Sequence, residues 1–248
     1  MNEMTIYDEV RATVAQQPPG TILALSDFTV PSEKWGALAK SLSRLNQQGT
    51  LRRLVKGLYF KPGQGILGEI QTPSFDQLLK KLLDQYKDKV SYITGIQAYS
   101  AMSLTTQIAR EFVIATDKPR SPVKVGMTEV RFTRSYVTEP IPEEDIALVQ
   151  LLDAICDIKN IPATTPAKAA RVLRGQLRQL SITQRQRLME YALQYYPPQT
   201  RALTGMLLES IGEGSLAQAL KGSLNPLTTF RLSLDAETFP TIRSWNIV

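Results

Sequence analysis

The sequence predicts an α+β protein: a small basic helix-and-hairpin module first, then a mixed, mainly helical C-terminal domain with a small β layer. Three observations carry this. Excess positive charge is confined to one stretch near the N-terminus. Apolar residues recur at helical spacing through most of the chain, interrupted by short β-rich runs. A cluster of Gly and Pro around residues 62–73 separates two parts, giving an N-terminal domain over 1–62 and a second over 74–248. At 248 residues, 43% hydrophobic and 21% charged, each part has the composition of a globular domain able to bury a core.

The first helix is expected from about Thr5 to Gln17. Ile6, Val10 and Val14 form its apolar stripe, and Pro18-Pro19-Gly20 ends it. Thr21 to Phe28 reads as a short strand or turn and then a short helix from near Ser26. Ser32 is placed to cap a third helix running to about Gln48. On that helix Trp35, Leu38, Leu42 and Leu45 fall within about 80° of arc and are expected in the core. The opposite side carries Gly36, Ala37, Lys40, Ser43, Arg44 and Gln47, and Gly49 is suited to a left-handed cap. Thr50 to Lys61 contains two β runs flanking Lys56-Gly57, the pattern of a tight hairpin.

Charge singles out the same segment. Between Pro31 and Lys61 lie seven of the 29 bases (Lys34, Lys40, Arg44, Arg52, Arg53, Lys56 and Lys61) and one of the 23 acids, Glu33, so the other 22 of each cancel. The whole net charge of +6 therefore resides there, as expected of a polyanion-binding module. Helix, short helix, basic amphipathic helix and basic hairpin is the order of a winged helix-turn-helix. In that reading Ser32, Lys34, Lys40, Ser43, Arg44 and Gln47 meet a major groove, while Arg52, Arg53 and Lys56 follow phosphates.

Absences narrow the chemistry. With no histidine, Ser-His-Asp and Cys-His catalysis and His-ligated metals are excluded. One cysteine, Cys156, leaves no intramolecular disulfide and is read as a small buried apolar group. No Gly-rich phosphate loop is present, so no catalytic residue, metal or cofactor is expected. No apolar run is long enough for a bilayer and the N-terminus lacks a secretion-signal layout, so the expected location is cytoplasmic.

In the second region Ser74-x-x-Gln77 is a capping box before a helix whose apolar face is Phe75, Leu78, Leu79, Leu82, Leu83 and Tyr86. Thr94-x-x-Gln97 repeats the signature. Strands are expected at Glu111–Thr116, Val123–Val125 and Glu129–Arg134, and helices from Pro142 to about Gly222, one of them opened by Thr165-Pro166. No acid occurs from Ile158 to Met189, and Arg171, Arg174 and Arg178 share one helix face. That stripe is a solvated surface, a docking face for an acidic partner or an extra DNA contact. A last strand is expected over Thr228–Leu234, and Phe239 and Trp245 should pack down.

Several segments resemble the AbiEi family of antitoxins and transcriptional regulators, and more closely its relatives classed as a domain of unknown function. They are Leu42-Ser43-Arg44-Leu45 before Gly49, Leu51-x-Arg53-Leu54-x-Lys56-Gly57-Leu58-Tyr59, Tyr92-Ile93-Thr94-Gly95, Leu224 to Leu232, and Trp245-Asn246-Ile247. The resemblance implies a repressor of its own operon at inverted repeats, acting as a dimer or as monomers recruited by double-stranded DNA. It further implies a C-terminal region that counters a toxin of nucleotidyltransferase fold. A stand-alone regulator whose second domain binds a protein or ligand is the alternative. A carboxylate- and metal-dependent enzyme built on Asp76, Asp84 or Glu143, Glu144 and Asp145 is the third reading, though helix starts and solvated faces explain those acids.

Overall fold

The computed structural model describes residues 5–64, 70–84, 90–109, 111–118, 120–125 and 128–248. Two units emerge, one made of residues 1–87 and 123–127 and the other of 88–122 and 128–248. The class is α+β, as expected.

The first unit opens with α1 (Ile6–Gln16), capped by Thr5, whose hydroxyl accepts the Asp8 N–H at 3.3 Å. Val10 and Val14 are its buried pair. Strand β1 (Ile22–Ala24) follows. The short helix expected after it is a single 3-10 turn, Leu25–Asp27, closed by the Asp27 carboxylate accepting the Ala24 N–H at 2.7 Å. Helix α2 (Trp35–Gln47) then carries Leu38, Leu42 and Leu45, all fully buried, each stabilising the unit by about 1.5–3 kcal/mol.

Two expectations about α2 are corrected. Ser32 does not cap it: residues Ser32–Lys34 form a 3-10 turn, and the Ser32 hydroxyl donates to Glu33 instead. Trp35 is not a core residue. It remains half exposed (50%), its indole N–H donating to the Val30 carbonyl at 3.2 Å, because the preceding turn moves it to the helix margin.

Strands β2 (Arg52–Val55) and β3 (Leu58–Phe60) form the expected hairpin, and β1 pairs antiparallel on the other side of β3, giving the order β1-β3-β2. Gly49 (φ +76°) ends α2 and Gly57 (φ +84°) turns the hairpin, both in the left-handed region that suits a residue without Cβ. Strands β4 (Gly63–Gln64) and β5 (Ile70–Gln71) make a two-residue ladder within the expected linker. The linker residues Gly65 and Gly68, and Tyr86, lie outside the described residues. Helix α3 (Phe75–Asp84) has the reciprocal Ser74–Gln77 capping bonds at 2.8 and 3.2 Å. It groups with the first unit, where Lys81 pairs with Asp27 at 2.7 Å, so the division by contacts falls later than the Gly/Pro cluster.

In the second unit β6 (Ser91–Thr94), β7 (Glu111–Thr116) and β9 (Thr128–Arg134) form the β layer, with the short helix α4 (Ile96–Ala101) following β6 in the chain. β6 runs antiparallel and β9 parallel to β7. The intervening β8 (Val123–Val125) groups with the first unit. The Thr94–Gln97 capping box is corrected: Gly95 occupies the cap, Thr94 donates to Asp153, and the Gln97 amide donates to the Glu111 carbonyl.

The helical part comprises α5 (Ile146–Cys156), α6 (Pro166–Gln179), α7 (Ile182–Tyr195), α8 (Pro198–Glu209) and α9 (Gly214–Gly222). Thr165 caps α6 as expected, accepting the Lys168 N–H. Helix α8 is buried from Ala202 to Leu208, the mark of a central helix. The C-terminal segment seals it: a Cβ on Gly205 would lie 2.2 Å from the Trp245 ring. Phe239 and Trp245 are buried, but the strand expected over Thr228–Leu234 is reduced to one bridge, Phe230 to Ile247.

Candidate functional site

Every one of the nine residues expected to meet nucleic acid is exposed: Ser32, Lys34, Lys40, Ser43, Arg44, Gln47, Arg52, Arg53 and Lys56. Lys40, Ser43, Arg44 and Gln47 lie within about 100° of arc on α2, opposite its buried leucines. The hairpin is joined to that helix through Asn46, whose side-chain oxygen accepts the Arg53 N–H at 2.9 Å.

The seven cations of this segment are not equivalent. Lys61 is structural: its ammonium donates to the carbonyls of Ala15 and Gln17 at 2.7 and 2.6 Å, capping the negative end of α1. Arg53 donates to the Val55 carbonyl and stiffens its own hairpin. Arg44 stacks on the Tyr7 ring at 4.4 Å, and the Tyr7 hydroxyl donates to Gln48 at 2.8 Å, so α1 fixes its orientation. Among the described residues Lys34, Lys40, Arg52 and Lys56 have no ion pair or side-chain hydrogen bond, and the sole acid within the segment is Glu33.

The second basic stripe behaves differently. Arg171 faces Asp235 at 3.8 Å; Arg174 donates to the Thr238 carbonyl and sits over the Phe239 ring at 5.1 Å. Two of its three cations therefore hold the C-terminal segment, and only Arg178 points outward without a side-chain partner among the described residues. Nearby, Arg185 pairs with Glu213 and Arg187 with the buried Asp145, so the acid-free stretch draws its counter-charges from other elements. Asp145 thus has a structural partner, while Asp76 and Asp84 are exposed on α3.

A cleft of about 400 Å³ opens within the second unit, and sequence reasoning missed it. Its lining includes Thr94, Tyr99, Glu111, Arg131, Arg134, Tyr136, Asp153 and Asp157. Asp153 is buried and accepts three neutral O–H donors: Tyr92 at 2.9 Å, Thr94 at 2.8 Å and Tyr196 at 2.7 Å. Desolvation pushes its carboxyl up to about 6, against those hydroxyls, which favour the ionised form. Asp157, one turn further on, accepts the Tyr99 hydroxyl at 2.7 Å. Cys156 is half-buried rather than a core residue, with its thiol 3.3 Å from the Tyr136 hydroxyl; burial raises its pKa, which suppresses thiolate chemistry. The available signal was Asp153 itself, an acid within the run Ile146–Ile155, which is otherwise apolar but for Gln150.

No group of acids or Cys suited to a metal ion occurs among the described residues, and no described helix is long and apolar enough to cross a membrane. No curated protein matches the chain. Among solved structures, the RV2827C protein from Mycobacterium tuberculosis aligns with a TM-score of 0.45 at 15% identity, covering 93% of this chain and 86% of that one. The model of a family of unknown function, DUF6088, matches residues 9–180, and the chain belongs to that family.

Proposed function

We propose that the chain is a cytoplasmic DNA-binding repressor whose first unit acts as a winged helix-turn-helix, with α2 as recognition helix and the β2–β3 hairpin as wing. The observation that carries this reading is the exposure of Lys34, Lys40, Arg52 and Lys56 without internal counter-charge, on the one segment that holds the protein's net charge. Unpaired exposed cations can exchange their counterions for phosphates. Arg44, pre-oriented on Tyr7, and Gln47 supply the groups that read base edges. The second helix of the motif is here only one 3-10 turn, so α1 takes over support of the recognition helix, through Tyr7 against Arg44 and Gln48.

The resemblance to AbiEi antitoxins supports a second role for the same protein, neutralising a nucleotidyltransferase-type toxin encoded beside it. The partner surface expected at Arg171, Arg174 and Arg178 is reduced by the internal bonds of the first two, leaving Arg178 as its exposed member. The cleft favours the alternative, a stand-alone regulator whose second unit takes a ligand.

Mobility shifts with duplex from upstream of the gene test the DNA reading. Lys40→Glu or Arg44→Glu should abolish the specific complex. Arg52→Gln or Lys56→Gln should weaken all duplexes alike. Equal binding by all four variants and the wild type would remove the proposal. Rescue of growth when the chain is co-expressed with the neighbouring gene product tests the antitoxin role.

A further inference from the structure

The exposed face of α2 has two edges, and each is held by a different element. At about 100° per residue the face runs from Ser43 through Gln47 and Lys40 to Arg44. Gln48 lies about 40° beyond the Arg44 edge, and both residues meet Tyr7 of α1. The Tyr7 ring lies 4.4 Å under the guanidinium, and its hydroxyl donates to the Gln48 side-chain oxygen at 2.8 Å. Asn46 lies about 60° beyond the Ser43 edge and accepts the Arg53 N–H of the hairpin at 2.9 Å. The face therefore opens between α1 on one side and the hairpin on the other.

The hairpin brings Arg52 and Lys56 to its side, and α1 carries a cation at the matching place. Arg11 stands one turn after Tyr7, about 6 Å along the helix and about 40° round from it, on the flank turned away from the buried Val10 and Val14. It is exposed, with no ion pair or side-chain hydrogen bond among the described residues. The neighbouring acids leave it free. Asp8 accepts the Thr5 hydroxyl, and Glu9 falls about 160° round α1 from Arg11. Arg11 lies outside the segment that holds the net charge, so that segment's composition does not reveal it.

We propose that Arg11 is a further DNA contact: with α2 in a major groove, its guanidinium meets backbone phosphates along one edge of the groove while Arg52 and Lys56 meet those along the other. The edges of a groove about 12 Å wide belong to opposite strands, and a helix of roughly 10–12 Å diameter fills the space between them. The guanidinium fork matches phosphate oxygens. This contact rests on the DNA-binding reading and deepens it, since phosphates held on both strands fix how α2 is rolled in the groove and hence which bases Arg44 and Gln47 face.

The full chain is titrated by fluorescence anisotropy with a labelled duplex from upstream of the gene and with an unrelated duplex, from about 50 to 200 mM salt. Arg11→Gln should weaken both complexes by about three- to tenfold and flatten the slope of log K against log salt by about 0.9, the loss of one phosphate contact. Arg11→Lys should keep most of that slope. Neither change should move Tm, since the Arg11 side chain is exposed and unpaired. Ethylation interference on the upstream duplex should show Arg11→Gln losing sensitive phosphates on one strand, and Arg52→Gln with Lys56→Gln losing them on the opposite strand. A steep wild-type slope left unchanged by Arg11→Gln would overturn this contact and leave the DNA-binding reading standing. Equal flattening by Arg11→Lys, or loss of the same phosphates in both sets of variants, would overturn it likewise. A wild-type slope near zero would remove the DNA-binding reading and this contact with it.

Discussion

The two units differ in how many of their exposed cations are partnered. In the second, Arg131, Arg171, Arg174, Arg185 and Arg187 all have partners within the unit, and Lys221 sits 5.2 Å from the Trp245 ring. In the first, Lys34, Lys40, Arg52 and Lys56 stand exposed without one. The cores differ too. The first unit is held by a short cluster around Val10, Val14, Leu38, Leu42, Leu45 and Leu51, while the second packs α5, α6, α7 and α9 around the nearly all-buried α8. The lesson is that net charge alone does not locate a binding surface. The acid-free stretch from Ile158 to Met189 looks as basic in sequence as residues 31–61, but its guanidiniums, Arg178 excepted, meet acids and carbonyls from other segments.

Packing gives the largest expected break in this contrast. Gly205→Leu drives a side chain into the Trp245 ring, which the C-terminal segment cannot yield without leaving α8. The second unit should lose more than about 3 kcal/mol, above the usual cost of overpacking because backbone and ring meet directly. Gly36→Ala, in open space on α2, should leave stability nearly unchanged. Urea unfolding followed by tryptophan fluorescence separates the two.

Asp153 comes next. Its carboxyl rises from 3.8 to about 6 on folding, so between those values the folded chain holds more protons than the unfolded one. Stability from this group therefore falls as pH rises from about 4 to 6; the penalty is absent below and reaches roughly 3 kcal/mol above. Asp153→Asn should lose this dependence. Unfolding midpoints of wild type and variant, measured from pH 4 to 8, should diverge across that window, and parallel curves would contradict the uncompensated carboxylate.

Smaller effects concern the first unit. Lys61→Met removes the ammonium that caps α1 and should cost about 1 kcal/mol in thermal unfolding, with no change in DNA affinity beyond that of lost stability. Tyr7→Leu frees Arg44 from its ring. It should weaken specific DNA binding by about 0.5–1 kcal/mol, a twofold to fivefold change in mobility shift, while non-specific binding holds.

Periodicity made several helices legible, since α1, α2 and α6 each bury one stripe, and Glu111–Thr116 emerged as a strand with the bounds the sequence suggests. Two misses share a cause: a side chain with a local role in sequence took a distant partner in the fold. Thr94 reads as a cap but serves Asp153, and Arg174 reads as surface but holds the tail. The basic face was legible because its residues are local to one helix and one hairpin. The cleft was not, because β6, β7, β9 and α5 assemble it from residues as far apart in the chain as Thr94 and Asp157.

The salt dependence of duplex binding tests the central claim most directly. If Lys34, Lys40, Arg52 and Lys56 each displace a counterion, log K against log salt should fall with a slope of about −3.5 per bound chain. The double variant Arg52→Gln, Lys56→Gln should flatten it by about 2, and Arg171→Gln should not change it. A wild-type slope near zero, or equal flattening by Arg171→Gln, would contradict a nucleic-acid surface on the first unit.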